Sequence, residues 1–297
     1  MDFTIVTPSY RQLDWLGCCI ASVADQEGIS VEHIVQDAGT AGFAEFAEAM
    51  KNRWPDRPGY RRTMVSEPDQ GMYDAINKGL RRGTGEICAY LNCDEQYLPG
   101  ILKAVRGKFA QTPKAEILQG GFLVLDAGGR LVTTQRPVKL FWPHVATSHL
   151  PNFTCATFFL RTLLTQKQAW FDDSMKTCAD WTWNLQRLRD GTPMIRLSQP
   201  LSLFRETGQN QGLSTPGIKE RQKVLETQAR WVRAGAVIWK CVHRVRKLFA
   251  GGYFPSRVKY SLWLRSEDTG RTTFGPCWSH GIWWSRLAGK GTATAGR

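Results

Sequence analysis

The order of apolar and polar segments in the first ninety residues constrains the fold more than any other feature of this 297-residue chain. A short apolar or β-branched segment is followed by a polar loop and then by a stretch with helical spacing. This unit occurs three times before a fourth apolar segment. The predicted strands are residues 3–7, 31–35, 60–65 and 87–91, and the predicted helices are residues 13–23, 43–54 and 72–80. Such alternation is typical of a parallel α/β sheet.

Ligands of these sheets bind at the carboxyl ends of the strands, so the loops after the strands are the candidate functional segments. They read TPSYRQ (7–12), QDAGTAG (36–42), EPDQGMYDAINKG (67–79) and LNCDEQ (91–96). The common phosphate loops GxGxxG and GxxxxGK[ST] are absent from the sequence. A divalent cation held by a strand-end carboxylate is the alternative way to neutralise phosphate, and Asp94 with Glu95 is the candidate pair.

Composition excludes several other classes. The 14 Phe, 12 Trp and 7 Tyr are too many for a disordered chain. The sequence shows neither a secretory signal nor an uninterrupted apolar stretch of about 20 residues. No pair among the eight cysteines is separated by two intervening residues, so the sequence lacks the spacing of zinc-knuckle and redox motifs. We expect free thiols in a reducing cytoplasm.

The net charge of +13 is concentrated at one end of the chain. Residues 219–297 contain 16 Lys and Arg and four acids, whereas residues 1–218 contain 23 basic and 22 acidic groups. We therefore predict a nearly neutral catalytic domain (1–218) and a basic, Trp-rich, partly helical extension (219–297) that is disordered over its last residues.

A basic amphipathic helix is predicted within the extension, between residues 231 and 249. Its two faces carry Gly235, Ile238, Val242, Val245 and Phe249 on one side, and Arg233, Lys240, Arg244 and Lys247 on the other. Two interpretations remain open: an interfacial anchor on an anionic membrane, or a helix packed on the catalytic domain with a solvated basic face. Nucleic acid is not expected as a partner, because no nucleic-acid-binding signature accompanies the charge.

Residues 67–100, EPDQGMYDAINKGLRRGTGEICAYLNCDEQYLPG, closely resemble the family-2 glycosyltransferases of the GT-A fold, in the bacterial polysaccharide and lipopolysaccharide branch. The resemblance covers residues 3–214. It implies a Rossmann-like mixed central sheet flanked by helices, and an inverting enzyme that uses a nucleotide-sugar, expected to be a UDP-sugar.

The resemblance assigns the nucleotide to the first two loops. Thr7, Pro8 and Tyr10 fall in the loop that lines the base, where Tyr10 can stack on a uracil ring. Asp37 takes the place of an acid that hydrogen-bonds the base or ribose. The family has two successive acids at this point, and here Gln36 replaces the first of them.

The metal motif of the family, Asp-x-Asp, reads Asn92-Cys93-Asp94 in this chain. The resemblance makes Asp94 the ligand of Mg²⁺ or Mn²⁺ and leaves Asn92 as an acceptor for the ribose. An Asn at the first position also occurs in this branch of the family, so we do not interpret it as loss of activity.

The third loop is assigned to the donor pyrophosphate and sugar, and Asp69 is its candidate residue. Asp74, Asn77 and Lys78 are expected on one side of the following helix. For Asp74 and Lys78, a role at the donor and a simple i,i+4 ion pair both remain open.

Asp180 is the candidate general base, because TCADWTWNL resembles the family's base motif, an acid entering a helix. The alternative is an N-cap for a helix over residues 181–189, and the two roles can coexist. Asp172 and Asp173 are nearby competitors.

The acceptor side is assigned to residues 152–159, with His149 at its rim. Arg205 is a candidate contact of the diphosphate, although a surface ion pair is the commoner role of an Arg at a strand end.

These assignments predict a metal-dependent enzyme that transfers a sugar to a glycan or lipid-linked acceptor at the cytoplasmic face of a membrane. The alternatives are a non-catalytic carbohydrate- or membrane-binding module and a nucleotidyltransferase on a similar sheet. The nucleotidyltransferase would need a basic, Gly-rich first loop, which TPSYRQ is not.

Overall fold

The three strand and helix units predicted from the sequence form the first half of the protein. The computed structural model describes residues 1–148, 152, 154–206 and 215–283. The first half contains β1 (Phe3–Ser9), α1 (Leu13–Ala24), β2 (Val31–Asp37), α2 (Phe43–Arg53), β3 (Tyr60–Ser66), α3 (Met72–Arg82) and β4 (Ile87–Tyr90). Each end lies within two residues of the predicted one, so the apolar spacing determined these elements.

The first four strands are parallel and stand in the order β3, β2, β1, β4. In the register of this sheet, Ser9 of β1 lies opposite Asp37 of β2, which lies opposite Ser66 of β3. Every residue of β1 and β2 is buried, as expected for central parallel strands covered on both faces. The register places the loops after these strands at one edge.

The second half of the fold completes a mixed sheet of nine strands. Its elements are β5 (Gln96–Tyr97), α4 (Ile101–Ala110), β6 (Ile117–Asp126), β7 (Leu131–Gln135), α5 (Trp142–Thr147), a 3₁₀ turn (Thr154–Ala156), β8 (Thr157–Leu160), α6 (Thr162–Thr165), α7 (Ala179–Arg189) and β9 (Met194–Glu206). Strand β8 lies antiparallel between β4 and β6, and β9 is parallel to β6 and antiparallel to β5. The sheet is therefore mixed, as the family resemblance implies.

Close contact between α3 and β1 holds the third loop against the sheet. A Cβ atom on Gly79 would lie 2.5 Å from Cγ1 of Val6, so only glycine permits this approach. Tyr73, Ile76 and Leu80 of α3 are buried against the same core. The start of α3 is thereby fixed beside the carboxyl edge.

Three helices, the first of which begins just before the basic extension, and a hairpin are formed by the described residues 215–283. They are α8 (Thr215–Glu226), α9 (Arg230–Ala234), α10 (Ala236–Phe249), β10 (Ser256–Leu262) and β11 (Thr272–Ser279). The sequence analysis missed the hairpin, although Val258, Tyr260 and Leu262 alternate with polar residues as in a half-buried strand. The predicted helix is interrupted at Gly235, which separates α9 from α10.

The hairpin belongs to the core of residues 1–218. Tyr260 and Leu262 pack with Leu123, Leu125 and Leu203. Trp263 is 3% exposed, and its ring meets Trp54 edge-on at 5.5 Å. Residues 256–279 therefore contribute packing to the predicted catalytic domain rather than forming a separate unit.

Arg271 links the hairpin to the end of α1. Its guanidinium forms two hydrogen bonds with the Asp25 carboxylate, at 2.6 and 2.8 Å. It also donates to the carbonyl oxygens of Tyr97, Ser261 and Ser22. The side chain is 9% exposed, so protein oxygens rather than water accept the hydrogen bonds of this cation.

A helix packed on the catalytic domain with a solvated basic face would turn its apolar side chains toward the protein. Helix α10 has the opposite orientation. Trp239 and His243 face the protein, and Ile238, Val245 and Phe249 are exposed. Within the described ranges, no helix combines the length and apolarity needed to cross a bilayer.

We predict that Arg271→Ala destabilises the protein by about 3 kcal/mol, because the Asp25 carboxylate loses its ion-pair partner and keeps the Trp263 indole as a donor, while three carbonyl groups each lose one donor. Arg130→Ala is the matched control, since that Arg also pairs with an acid but is 83% exposed. The control should change the free energy of unfolding by under about 1 kcal/mol. Equal losses in urea denaturation would contradict the proposed role of Arg271.

Candidate functional site at the carboxyl edge

The four candidate loops meet at one edge of the sheet, as predicted. The amide of Arg11 donates to Oγ1 of Thr40 at 2.8 Å, joining the first loop to the second. The Cys93 thiol donates to Oε1 of Gln12 at 3.0 Å, joining the fourth loop to the first. The amide of Glu67 donates to the Asp37 carbonyl, which joins the third loop to the second.

Asp37 is fully buried, and its carboxylate organises the second loop. Oδ2 accepts hydrogen bonds from the amides of Gly39 and Thr40 and from the Ser66 hydroxyl, at 2.7 to 3.0 Å. Oδ1 accepts the Thr40 hydroxyl at 2.7 Å. The neighbouring Gln36 amide is bound to Glu67 and Arg82. These side chains shape the loop through bonds within the protein.

The three residues predicted to line the base have different surroundings. Tyr10 is 52% exposed, and the Arg11 guanidinium lies 4.7 Å from its ring centre. Pro8 is buried within β1. Thr7 is also buried, with Oγ1 3.0 Å from Nε2 of His33. The side chain of Thr7 thus points into the core, and Tyr10 alone presents a ring to a ligand.

Two polar atoms at this edge are buried without a hydrogen-bond partner among the described residues, Oγ of Ser9 and Oδ1 of Asn92. Buried oxygens normally have a partner, so these two atoms are candidates for hydrogen bonds to a ligand. They lie at the ends of the neighbouring strands β1 and β4.

The acidic pair after β4 contains one buried and one accessible carboxylate. Glu95 is 3% exposed, and its Oε2 accepts the Asn92 amide at 3.0 Å. Burial, together with the Asp94 carboxylate, raises the pKa of Glu95 to about 8. Burial also raises the pKa of Asp94, while Arg205 acts in the opposite direction. Asp94 is the more accessible of the two acids.

Arg205 is 5% exposed, so the alternative expectation of an Arg at the surface is wrong. Its guanidinium lies 4.3 Å from the ring centre of Trp15, and Nη1 donates to the Ala127 carbonyl at 3.3 Å. The guanidinium charge lowers the pKa of the neighbouring Asp94.

The third loop forms a turn before α3. Oδ1 of Asp69 accepts the Gly71 amide at 2.8 Å, and burial raises the pKa of this carboxyl. Asp74 and Lys78 form the expected i,i+4 pair at 3.0 Å. Asn77 does not share their surface: it is buried and bonds the backbone of Phe171 on both sides of its amide.

Asp180 lies in the first turn of α7 rather than at its cap. The helix begins at Ala179, and Cys178 occupies the N-cap position, so the alternative role of Asp180 as an N-cap is wrong. Oδ1 accepts the Tyr73 hydroxyl at 2.9 Å and the Trp181 amide at 2.8 Å. The positive end of the helix dipole adds to this stabilisation of the carboxylate.

A chain of hydroxyl groups connects Asp180 to β4. The Tyr90 hydroxyl donates to Oγ1 of Thr154 at 2.8 Å, and Thr154 donates to Oδ2 of Asp180 at 3.3 Å. Burial raises the pKa of Asp180, and the bonds from Tyr73, Trp181 and Thr154 limit this rise. Glu95 is close enough for its own pKa to be raised by Asp180. Asp180 thus belongs to the carboxyl edge.

The competing acids lie on an exposed turn. Asp172 accepts the amide and hydroxyl of Ser174, and Asp173 is exposed beside it. Asn152, at the start of the predicted acceptor wall, is buried and bonded to Gln119 and Val138. His149 lies outside the described residues.

Tyr73, Tyr90 and Trp15 are the site residues that the sequence analysis missed. Tyr73 and Asp180 are 107 residues apart, so no local pattern connects them. The sequence does place aromatic residues beside the functional loops, but it does not indicate which residues they contact.

Two open surface hollows lie elsewhere, with volumes of about 440 and 300 Å³. One is lined by residues of the hairpin connection and the other by α7 and α8, and neither contains Asp94 or Asp180. The candidate functional site is therefore located from the chemistry of its side chains and not from the shape of the surface. In the part of the chain that the structure describes, no three His, Cys, Asp or Glu side chains are grouped to hold a metal by themselves.

Comparison with known proteins identifies the family. The family model described as Glycosyl transferase family 2 matches residues 4–164, more than half of the chain. The chain therefore belongs to glycosyl transferase family 2.

Two curated relatives carry related names. An uncharacterized glycosyltransferase of Mycobacterium tuberculosis is 28% identical over 117 residues, covering 38% of this chain and 42% of that protein. The PGL/p-HBAD biosynthesis glycosyltransferase of Mycobacterium bovis is 24% identical over 129 residues, covering 43% and 49%. The matched part of the chain spans under half the length of these relatives.

Solved structures share the fold. S. aureus TarS 1–349 in complex with UDP-GlcNAc has a TM-score of 0.61 at 13% identity, covering 84% of this chain and 75% of that one. The mannosyltransferase PcManGT from Pyrobaculum calidifontis, in complex with GDP-Man and Mn²⁺, has a TM-score of 0.53 at 16% identity, covering 84% and 79%. The predicted GT-A fold is confirmed.

We predict that Tyr73→Phe raises the pKa of Asp180, because it removes a hydroxyl donor that favours the ionised carboxylate. The measurement is a pH titration of the Asp180 carboxyl carbon by NMR. Tyr253→Phe, on a turn after α10, is the control. An unchanged titration of Asp180 in Tyr73→Phe would show that this bond does not stabilise the carboxylate.

Proposed function

We propose that the chain is an inverting glycosyltransferase that moves a sugar from a UDP-sugar to a hydroxyl group of a glycan or lipid-linked acceptor. Family membership and the shared fold support nucleotide-sugar transfer in general. The observation that carries the specific proposal is the position of Asp180. Its carboxylate is held at the start of α7 by Tyr73 and Thr154, next to β4, the strand that precedes the loop with Asn92 and Asp94.

In this proposal, Asp180 removes the proton from the acceptor hydroxyl as its oxygen attacks the anomeric carbon from the face opposite the diphosphate. The raised pKa makes the carboxylate a stronger base than an exposed Asp. The bonds from Tyr73 and Trp181 fix Oδ1, so Oδ2, with its long bond to Thr154, is the freer oxygen. Protonation of Asp180 should therefore reduce activity on the acidic side.

The donor is proposed to lie across the first, second and fourth loops. The exposed ring of Tyr10 offers a stacking surface for the base. The unpaired oxygens of Ser9 and Asn92 suit hydroxyl donors such as those of ribose. Asp37 contributes indirectly, because its carboxylate is used in shaping the loop. Asp69 is proposed to border the sugar. The structural neighbours in complex with UDP-GlcNAc and GDP-Man support a nucleotide-sugar as the class of donor.

Asp94 is proposed to hold Mg²⁺ or Mn²⁺, and the donor set fits such an ion. Asp94 supplies an accessible hard oxygen, the type of ligand that these ions prefer, while the unpaired Oδ1 of Asn92 remains available to a ribose hydroxyl. With one carboxylate, the ion would need phosphate oxygens or water to complete its shell. When bound, it would stabilise the charge of the departing diphosphate. The Arg205 guanidinium lies within electrostatic range of Asp94 and adds positive charge on the same side.

The acceptor is proposed to enter beside Thr154, which contacts the general base Asp180 and belongs to the predicted acceptor wall.

We also propose a cytoplasmic location. All eight cysteines are free thiols in the structure, as expected for a reducing compartment.

We predict that Asp180→Asn lowers kcat by roughly 10²- to 10⁴-fold, because the amide cannot accept the acceptor proton. UDP affinity should be unchanged, since the substitution keeps the shape of the side chain. UDP release from a panel of UDP-sugars with candidate acceptors is the measurement, and Asp173→Asn is the matched control. Undiminished transfer by Asp180→Asn would eliminate Asp180 as the base.

We predict that Asp94→Ala removes the metal-dependent part of nucleotide binding. Wild-type protein should show a higher Tm with UDP and Mn²⁺ together than with UDP alone, because a ligand of the native state stabilises it. Asp14→Ala, an exposed acid of α1, should keep this difference. A full Mn²⁺-dependent shift in Asp94→Ala would place the metal elsewhere.

A further inference from the structure

Helix α10 exposes its apolar side chains to solvent. Val237, Ile238, Val245 and Phe249 are 72%, 61%, 52% and 85% exposed, and no residue of this fourteen-residue helix is buried. At 100° per residue these side chains form one continuous stripe, with Leu248 inside it and Val242 at one edge. An ordinary surface helix turns this stripe toward the core.

The contacts of the opposite face fix this orientation. Nε1 of Trp239 donates to the Val232 carbonyl at 2.9 Å. The ring of His243 stacks on that of buried His144 at 4.0 Å. Lys247 donates to Oε1 of Gln135 at 2.8 Å and to the Gly281 carbonyl at 2.7 Å. These three residues are four apart, so one helix face is bound to the protein along its length, and the apolar stripe is left outside.

The charge around the stripe has one sign. Residues 227–266 contain no acid. Their basic residues are Arg230, Arg233, Lys240, Arg244, Arg246, Lys247, Arg257, Lys259 and Arg265. On the helical wheel, Lys240 and Arg244 border the stripe on one side and Arg246 on the other. Trp231, beside α10 in sequence, is 58% exposed.

We propose that α10 docks on the surface of a membrane that contains anionic lipids. The stripe would enter the boundary of the acyl chains, while Lys240 and Arg244 meet the headgroups and Trp231 lies at the interface. A helix of this length extends about 21 Å, so it lies along the surface rather than crossing a hydrocarbon layer of ~30 Å. A second copy of the chain is the less favourable partner, because its acid-free basic segment would repel the same segment of the first copy.

The test is flotation of the full-length protein with vesicles of phosphatidylcholine alone or with 30% phosphatidylglycerol, a composition of roughly the charge of anionic membranes. Ile238→Ser/Phe249→Ser should weaken binding to the anionic vesicles at least about tenfold, since both side chains lose apolar contact. Lys240→Gln/Arg244→Gln should weaken it by roughly tenfold at low salt and less at high salt. Both pairs are exposed, so the melting temperature should be unchanged.

Two double variants serve as matched controls. Ile218→Ser/Leu264→Ser changes exposed apolar residues outside α10, and Lys103→Gln/Lys114→Gln changes exposed cations of the first half. Both should bind vesicles as wild type does.

Three outcomes would overturn the proposal. They are equal binding to neutral and anionic vesicles, no loss in the α10 variants, and a wild-type dimer in sedimentation that Ile238→Ser/Phe249→Ser dissociates in the absence of lipid binding. None of these readouts involves sugar transfer, so membrane docking and the proposed activity can fail separately.

Discussion

The parallel pairing of β1 with β2 and β4 is the interaction on which the rest of the structure depends. Parallel strands require a crossover between them, and each crossover begins with a loop at the same edge. Together with the pairing of β2 and β3, this pairing brings together four loops that are up to ninety residues apart. Its register sets Ser9 beside Asp37, so a shift of one residue would disperse the polar groups of the edge.

The sequence was sufficient for the part of the fold governed by local spacing. The helices and strands up to residue 90 were predicted closely because each has a periodic apolar face, and the resemblance in residues 67–100 supplied the family. Prediction stopped where partners are distant in sequence. The stacking of Arg205 on Trp15 was not predictable because the two residues are 190 positions apart, and the bond from Tyr73 to Asp180 was not predictable because it comes from another helix.

In the basic extension, the sequence predicted the two faces of a helix but not which of them contacts the protein. The helical wheel correctly separated apolar from basic side chains in α10, but periodicity does not determine which side faces the protein. That choice depends on tertiary contacts of Trp239, His243 and Lys247 with residues far along the chain. The hairpin was overlooked because its alternating segment is short and lies in a region dominated by charge.

The closed turn around Asp37 has a consequence for the energetics of ligand binding. Four hydrogen bonds to one carboxylate hold residues 37–40 in a single arrangement without a ligand. A loop that is already ordered does not lose conformational entropy when a ligand arrives, so more of the contact energy is retained as affinity. Asp37 can thus influence affinity for a ligand that its own carboxylate never touches.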